Sequence, residues 1–256
     1  IYGAMVGGAT IQDMDIRDVT GNGIYLRMPW DDIQITDSTI RNTIGHGILS
    51  EGGNGSMSIS GNTILLAQGD GIRIDNMVMG IGQTGDICIS DNAILGDDMM
   101  LFPMQRGVSL EFMPNDEFTI TISGNTINYS ELEGILMTAW VNSVVSGTIS
   151  DNTLAEISTA AGNDALRVNA YHQGEVTVQI SGNALSAIGG DGIAAHSVEE
   201  STLNCTVEGN SVASPGGSHD IYLRAADLMG LSIPNRPTLR AHVLNNTVAQ
   251  DIYLIS

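Results

Sequence analysis

The 256-residue chain contains no lysine. Its nine cations are all arginine, against 29 aspartates and glutamates, for a net charge of −20. A surface this acidic repels phosphate backbones and anionic headgroups, which speaks against nucleic acid and membrane surfaces as partners. No window approaches the 18 or so consecutive apolar residues of a membrane-spanning helix, so no membrane insertion is expected. The first residues carry no charged leader ahead of an apolar run, and the chain opens in repeat-like sequence, as a segment of a longer exported protein would. Two cysteines are too few for a disulfide framework, and a zinc site would need more Cys and His at ligand spacing. Rings are scarce too, at 4% of residues. Yet 42% hydrophobic content and a mean hydropathy of +0.10 exclude a disordered chain. A core rich in Ile, Val, Leu and Met but poor in rings must be narrow and repetitive, which makes internal repeats the first thing to seek.

One phrase recurs along the whole chain. It reads Ile59-Ser-Gly-Asn-Thr-Ile64, Ile89-Ser-Asp-Asn-Ala-Ile94, Ile122-Ser-Gly-Asn-Thr-Ile127 and Ile149-Ser-Asp-Asn-Thr-Leu154, with further copies before and after. Its fourth position falls at 14, 38, 62, 92, 125, 152, 183, 210 and 246, in steps of 24 to 36 residues. A second phrase follows about ten residues later, as in Gly21-Asn-Gly-Ile-Tyr-Leu26, Gly45-His-Gly-Ile48, Gly69-Asp-Gly-Ile-Arg-Ile74 and Gly190-Asp-Gly-Ile193. Both alternate Ile, Val or Leu with small or polar residues, which is strand periodicity. All six prolines lie between phrases, where a missing N–H costs no ladder bond. A single repeat has nowhere to bury its inward row; stacked repeats bury it continuously.

These phrases resemble the right-handed parallel β-helix repeats of pectate-lyase-like folds and autotransporter passengers, over residues 11–255. The expected fold is all-β: one domain, 1–256, forming a right-handed single-stranded parallel β-helix of about nine coils. Stacking places the Asn residues 62, 92, 125, 152, 183, 210 and 246 in one column, an internal asparagine ladder. Ser38 and Met14 break the column and predict less regular first coils. Cys88, between Ile87 and Ile89, points outward; Cys205, in phase with Leu203 and Val207, points inward. Four coil steps, about 19 Å, separate them, so no disulfide is expected.

Function is harder to place, because the fold hosts lyases, hydrolases, epimerases, tailspikes and adhesins. Polygalacturonase-type members pair aspartates with a Gly-His-Gly motif. This chain has Asp31-Asp32 and Gly45-His46-Gly47 but neither an Asn-Thr-Asp motif nor Arg-x-Lys. The lyases use an Arg or Lys base beside carboxylates that hold Ca²⁺. Arg73, between Asp70 and Asp75 with Glu51 and Glu111 one coil to either side, imitates that arrangement. The catalytic candidates are therefore Glu51, Arg73, Asp75, Glu111 and His46, with Ca²⁺ the one cofactor to consider.

Length variation falls after the second phrase, in loops carrying apolar groups: residues 77–79, Phe112 to Pro114, Ala139-Trp140, Tyr171-His172 and residues 228–231. A separate insertion covers residues 99–104. Trp140 and Tyr171 one coil apart, beside Arg167 and His172 and near His196, form the candidate site for a saccharide or a protein partner. The leading expectation is a non-catalytic extracellular or cell-surface module, an adhesin- or passenger-like stalk binding polysaccharide or a surface protein through its loop face. A polysaccharide lyase or glycoside hydrolase acting from the acidic and Arg ridge is the rival. A filament or sheath subunit associating end to end is the third.

Overall fold

The computed structural model describes residues 1–76, 82–97, 103–157, 163–217, 219–226 and 236–255. Every element among them is a β-strand. The strands form three parallel sheets, and each coil of chain contributes one strand to each. The first sheet, nine strands from Thr10–Gln12 to Thr238–Leu244, takes the residues before the ladder position. The second, nine strands from Asp15–Val19 to Thr247–Val248, takes those just after it. The third, ten strands from Tyr2–Ala4 to Ile252–Ile255, takes the second phrase. Three in-register sheets enclose a column of aliphatic side chains. In the third sheet Ile48, Ile72, Val108, Ile135 and Leu166 lie directly above one another, each fully buried.

The corner between the first and second sheets explains the Gly/Asp-Asn dipeptide. The residue ahead of each ladder Asn is left-handed, with φ between 51° and 66° at Asp37, Gly61, Asp91, Gly124, Asp151, Gly182, Gly209 and Asn245. Only Gly, Asp and Asn fill it, the types that tolerate this region best. From Asp37 to Gly182 Asp and Gly alternate for a packing reason. A Cβ on Gly61, Gly124 or Gly182 would stand 2.4–2.6 Å from Oδ1 of Asp37, Asp91 or Asp151 in the preceding coil.

The ladder itself runs from Asn62 to Asn246. Asn152 is typical: its N–H and Nδ2 donate to Asn183 Oδ1 at 3.0 and 2.9 Å, and Nδ2 also donates to the Ile122 carbonyl. Its Oδ1 in turn accepts from the N–H and Nδ2 of Asn125. Ser38 does not break the column as its identity suggests. Its N–H donates to Asn62 Oδ1 and its Oγ accepts the Met14 N–H, so the hydroxyl does the amide's work for one more coil.

Cys88 is half-exposed and Cys205 buried, both free thiols as alternation predicts, and burial pushes the Cys205 thiol up to about 12. Phe112 departs from its expected place in an exposed loop. It ends the strand Val108–Phe112 in phase with Val108 and Leu110, fully buried, with its ring 5.3 Å from Phe118. Ala139 follows the same inward column and is likewise buried. Pro215 closes a strand, Ser211–Pro215, rather than lying between phrases. Residues 77–79, 99–102 and 228–231, expected to form apolar loops, lie outside the described residues.

Candidate functional site

Two groups of side chains stand on the outward face of the third sheet, and the register separates them. The first is ionic. Arg73 lies 2.7 Å from Asp75, 3.3 Å from Glu111 and 3.6 Å from Asp70. Arg106 joins Asp70, at 3.9 Å, to Glu133, at 2.9 Å; Arg167 joins Glu133, at 3.5 Å, to Asp164, at 2.7 Å. Three arginines thus tie five carboxylates into one strip running along the coils. Glu51 lies one step before Asp75 in the same column and is engaged by the Tyr25 hydroxyl.

Burial alone pulls the Arg73 and Arg167 guanidiniums down, but their carboxylate partners outweigh it and hold both above the ordinary value. Burial pushes Asp70 and Asp164 above the usual carboxylate range, against the pull of Arg106 and Arg73 on Asp70 and of Arg167 on Asp164. A proton-abstracting arginine needs the opposite shift, toward a neutral form near working pH. Among the described residues no group of three or more His, Cys, Asp or Glu side chains is disposed to hold a metal ion. The chemistry of the donor set agrees, because the ridge carboxylates nearest Arg73 already face guanidinium groups.

His46 belongs to neither group. It occupies the turn before the third sheet, where side chains cap the N–H of the same position one coil on. Asn22 Oδ1 accepts from His46, His46 Nδ1 from Asp70 at 2.8 Å, Asp70 Oδ1 from Arg106, Asp164 Oδ1 from Asp191, and Asp191 Oδ1 from His219. An imidazole that accepts at Nδ1 carries its proton on Nε2 and is neutral. Burial likewise lowers its pKa, so the 3.7 Å approach of Asp70 Oδ2 to Nδ1 is no charge pair. The Gly45-His46-Gly47 motif is therefore a rung of a second, mixed ladder.

The second group is a shelf of rings at the far end of the same strands. Trp140 follows the strand Ile135–Ala139 and Tyr171 closes the strand Leu166–Tyr171, one coil on. Their rings stack at 4.7 Å with 19° between planes, both half-buried. Each stands on a tight turn: Ser143 N–H donates to the Trp140 carbonyl and Gly174 N–H to that of Tyr171, both at 2.9 Å. Asn142, His172 and Gln173 supply the left-handed conformations those turns need. The exposed His172 lies 6.2 Å from the Trp140 ring and contacts Glu199 through Nδ1.

His196 lies opposite Asn169, two positions back from Tyr171 along the sheet, with its ring edge-on to Tyr222 at 5.4 Å. Burial, reinforced by Arg167 and Arg224, lowers its pKa to about 4, so it is neutral at physiological pH. Its Nε2 and the Asn169 Oδ1 are both buried without a hydrogen-bond partner. Asn169 Nδ2 reaches Thr138 Oγ1 at 3.4 Å.

Of the five expected ligand-binding residues, the structure joins Trp140, Tyr171 and His172, while His196 stands one strand on, opposite Asn169, with its ring against Tyr222. Arg167 shares a strand with Tyr171 but lies four residues back, about 13 Å along the chain, and is spent on the ionic strip. Asn169 was missed, although its phase two residues from Tyr171 and its register with His196 mark it.

A family model described as the right handed beta helix region matches residues 1–149, more than half of the chain. The chain belongs to the right-handed β-helix family. No curated protein and no solved structure shows significant similarity to this β-helix. Family membership accounts for the three sheets and the ladder; the ring shelf has to be read from its own geometry.

Proposed function

We propose that this β-helix is a non-catalytic binding module, an extracellular or cell-surface stalk that takes a saccharide at the Trp140–Tyr171 shelf. The stacked ring pair carries the reading. Rings held by turns offer flat apolar area at little cost in conformational freedom, the surface on which the C–H face of a sugar ring packs. Asn169 and His196 support it as polar side chains in register on the same outward face, two residues back along the strand from Tyr171. A neutral His196 suits an uncharged hydroxyl, and a net charge of −20 disfavours polyuronates. The ionic strip serves as scaffold in this reading: Arg73, the one candidate base, is held as a cation by three carboxylates.

The test is calorimetric titration against neutral and acidic oligosaccharides with and without Ca²⁺, following new reducing ends and unsaturated-uronate absorbance in the same samples. The expected result is saturable binding without turnover. Trp140→Ala should weaken it at least tenfold, about 1.4 kcal/mol, and Arg73→Ala should leave it unchanged. Turnover that disappears in Arg73→Ala or Glu51→Gln would place catalysis on the strip and overturn the reading.

A further inference from the structure

We infer that the outward face of the first sheet is a second binding surface, independent of the ring shelf, and that it takes ice. The strands Glu117–Ser123, Val144–Ser150 and Glu175–Ser181 run in register. Their outward residues form three columns: Thr119, Ser146 and Thr177; Thr121, Thr148 and Gln179; Ser123, Ser150 and Ser181. Eight of these nine positions carry a hydroxyl and none carries a charge, on a molecule of net charge −20. All nine are exposed or half-exposed. The last column continues back through Ser90 and Ser60 and ends forward at Glu208; the other two run on into Asn204 and Thr206 and end backward at Asp86 and Cys88.

Sheet geometry sets the repeat at roughly 4.8 Å between strands and roughly 6.7 Å along them. The lattice is rigid. Ile120, Ile122, Ile149 and Ile180 lie buried directly behind it, and each strand ends at a ladder corner of fixed length. Thr is stiff about χ1, so its hydroxyl and methyl hold one orientation. Among the described residues the grid makes one side-chain hydrogen bond, Asn204 Nδ2 to Thr177 Oγ1 at 3.3 Å. The remaining hydroxyls are therefore committed to water.

The chemistry of the face selects its occupant. A charged polymer finds no cation on the grid. A stable protein partner, or a second copy of this chain, needs about 800 Å² a side with aromatic or Arg anchors, whereas three columns by three rows span about 300 Å² and hold no ring. A crystalline polysaccharide also wants rings to stack on. What remains is a lattice of uncharged hydrogen-bonding groups, bordered on the same face by Glu117, Glu175, Asp86 and Glu208, with a two-dimensional repeat on this scale, and hexagonal ice presents its oxygens in such nets. Single contacts to water are weak, so binding becomes effective only when many lattice positions engage together.

The inference is tested by freezing micromolar protein and watching crystal habit, thermal hysteresis and recrystallisation. Faceted crystals and suppressed recrystallisation are expected of the unaltered chain. Thr148→Tyr, at the centre of the grid, should abolish both; Thr148→Ser should keep part of the effect. Both variants should retain the far-ultraviolet circular dichroism of the parent and any Trp140-dependent saccharide binding, which separates failure here from failure of the shelf. Ice growth unaffected by the unaltered chain overturns the inference. So does a Thr148→Tyr protein as active as its parent, or retention of the chain on crystalline cellulose through this same face.

Discussion

His196 shows how one side chain couples the proposed site to the stability of its surroundings. Burial, then Arg167 and Arg224, lowers its pKa to about 4, from about 6.5 in an unfolded chain. The folded state therefore binds the proton less readily than the unfolded state. Stability from a neutral His196 is fully present above pH 6.5 and is lost as pH falls from 6.5 toward 4. Each unit corresponds to about 1.4 kcal/mol, so the loss by pH 4 is up to about 3 kcal/mol, less for whatever water reaches the half-buried ring. Asp70 and Asp164, whose values are raised, shift stability the other way as they protonate, while His46 shifts it the same way. Comparison with His196→Gln isolates the one group. Urea unfolding of both proteins between pH 7 and 4 should show the parent losing ground steadily to the variant. Parallel curves would mean that the imidazole is not buried as described.

At the scale of the element, the ladder is the joint that fixes each coil to the next. Asn152→Ala removes the acceptor for the Asn125 N–H and Nδ2, and the donor to the Ile122 carbonyl, all buried. Orphaned groups cost about 1–3 kcal/mol each, so a loss of roughly 3–5 kcal/mol is expected in urea midpoints. Asn152→Ser should recover part of it, because Ser38 already caps the coil before it through a hydroxyl. Equal losses in the two variants would mean that packing, not hydrogen bonding, gives Asn its place.

This ladder was legible in the sequence because one residue type repeats at one phrase position, and two phrases with period-two alternation identify strands that must stack. The mixed ladder before the third sheet was legible only as a position. The Gly-x-Gly phrases set Asn22, His46, Asp70 and Asp191 in one column, but no pattern of letters says that an acceptor atom of each caps the N–H of the next coil. The match of Gly45-His46-Gly47 to a catalytic motif therefore stood beside that reading. Phe112 was readable and misplaced: its phase with Val108 and Leu110 points inward, but the neighbouring Met113-Pro114 drew it into the loop. Trp140 beside Tyr171 was found because coil spacing alone aligns them. Arg167 was grouped with them because phrase position shows which coil a residue is on but not which partners its long side chain reaches.

Over the whole molecule, the two kinds of electrostatics act in opposite directions, and salt tells them apart. The excess of 20 negative charges is spread along a solenoid whose coils touch only their neighbours, so repulsion between exposed acids opposes stacking all along the axis. The strip of Arg73, Arg106 and Arg167 favours it, binding five carboxylates across successive coils. Its side chains are largely buried: Glu133 and Asp164 are 6% and 4% exposed, and Arg106 and Arg73 are 21% and 23% exposed. Screening shortens from about 30 Å at 0.01 M salt to about 3 Å at 1 M and acts mainly on the exposed charges. Raising NaCl across that range should therefore remove more repulsion than attraction, and the thermal midpoint should rise. An Arg106→Gln variant should begin lower, having left the buried Asp70 only Arg73 at 3.6 Å and the buried Glu133 only Arg167 at 3.5 Å, and should gain more from salt than its parent. A midpoint that falls as salt is added would show instead that the strip's ion pairs are open to solvent and carry most of the electrostatic stability of the stack.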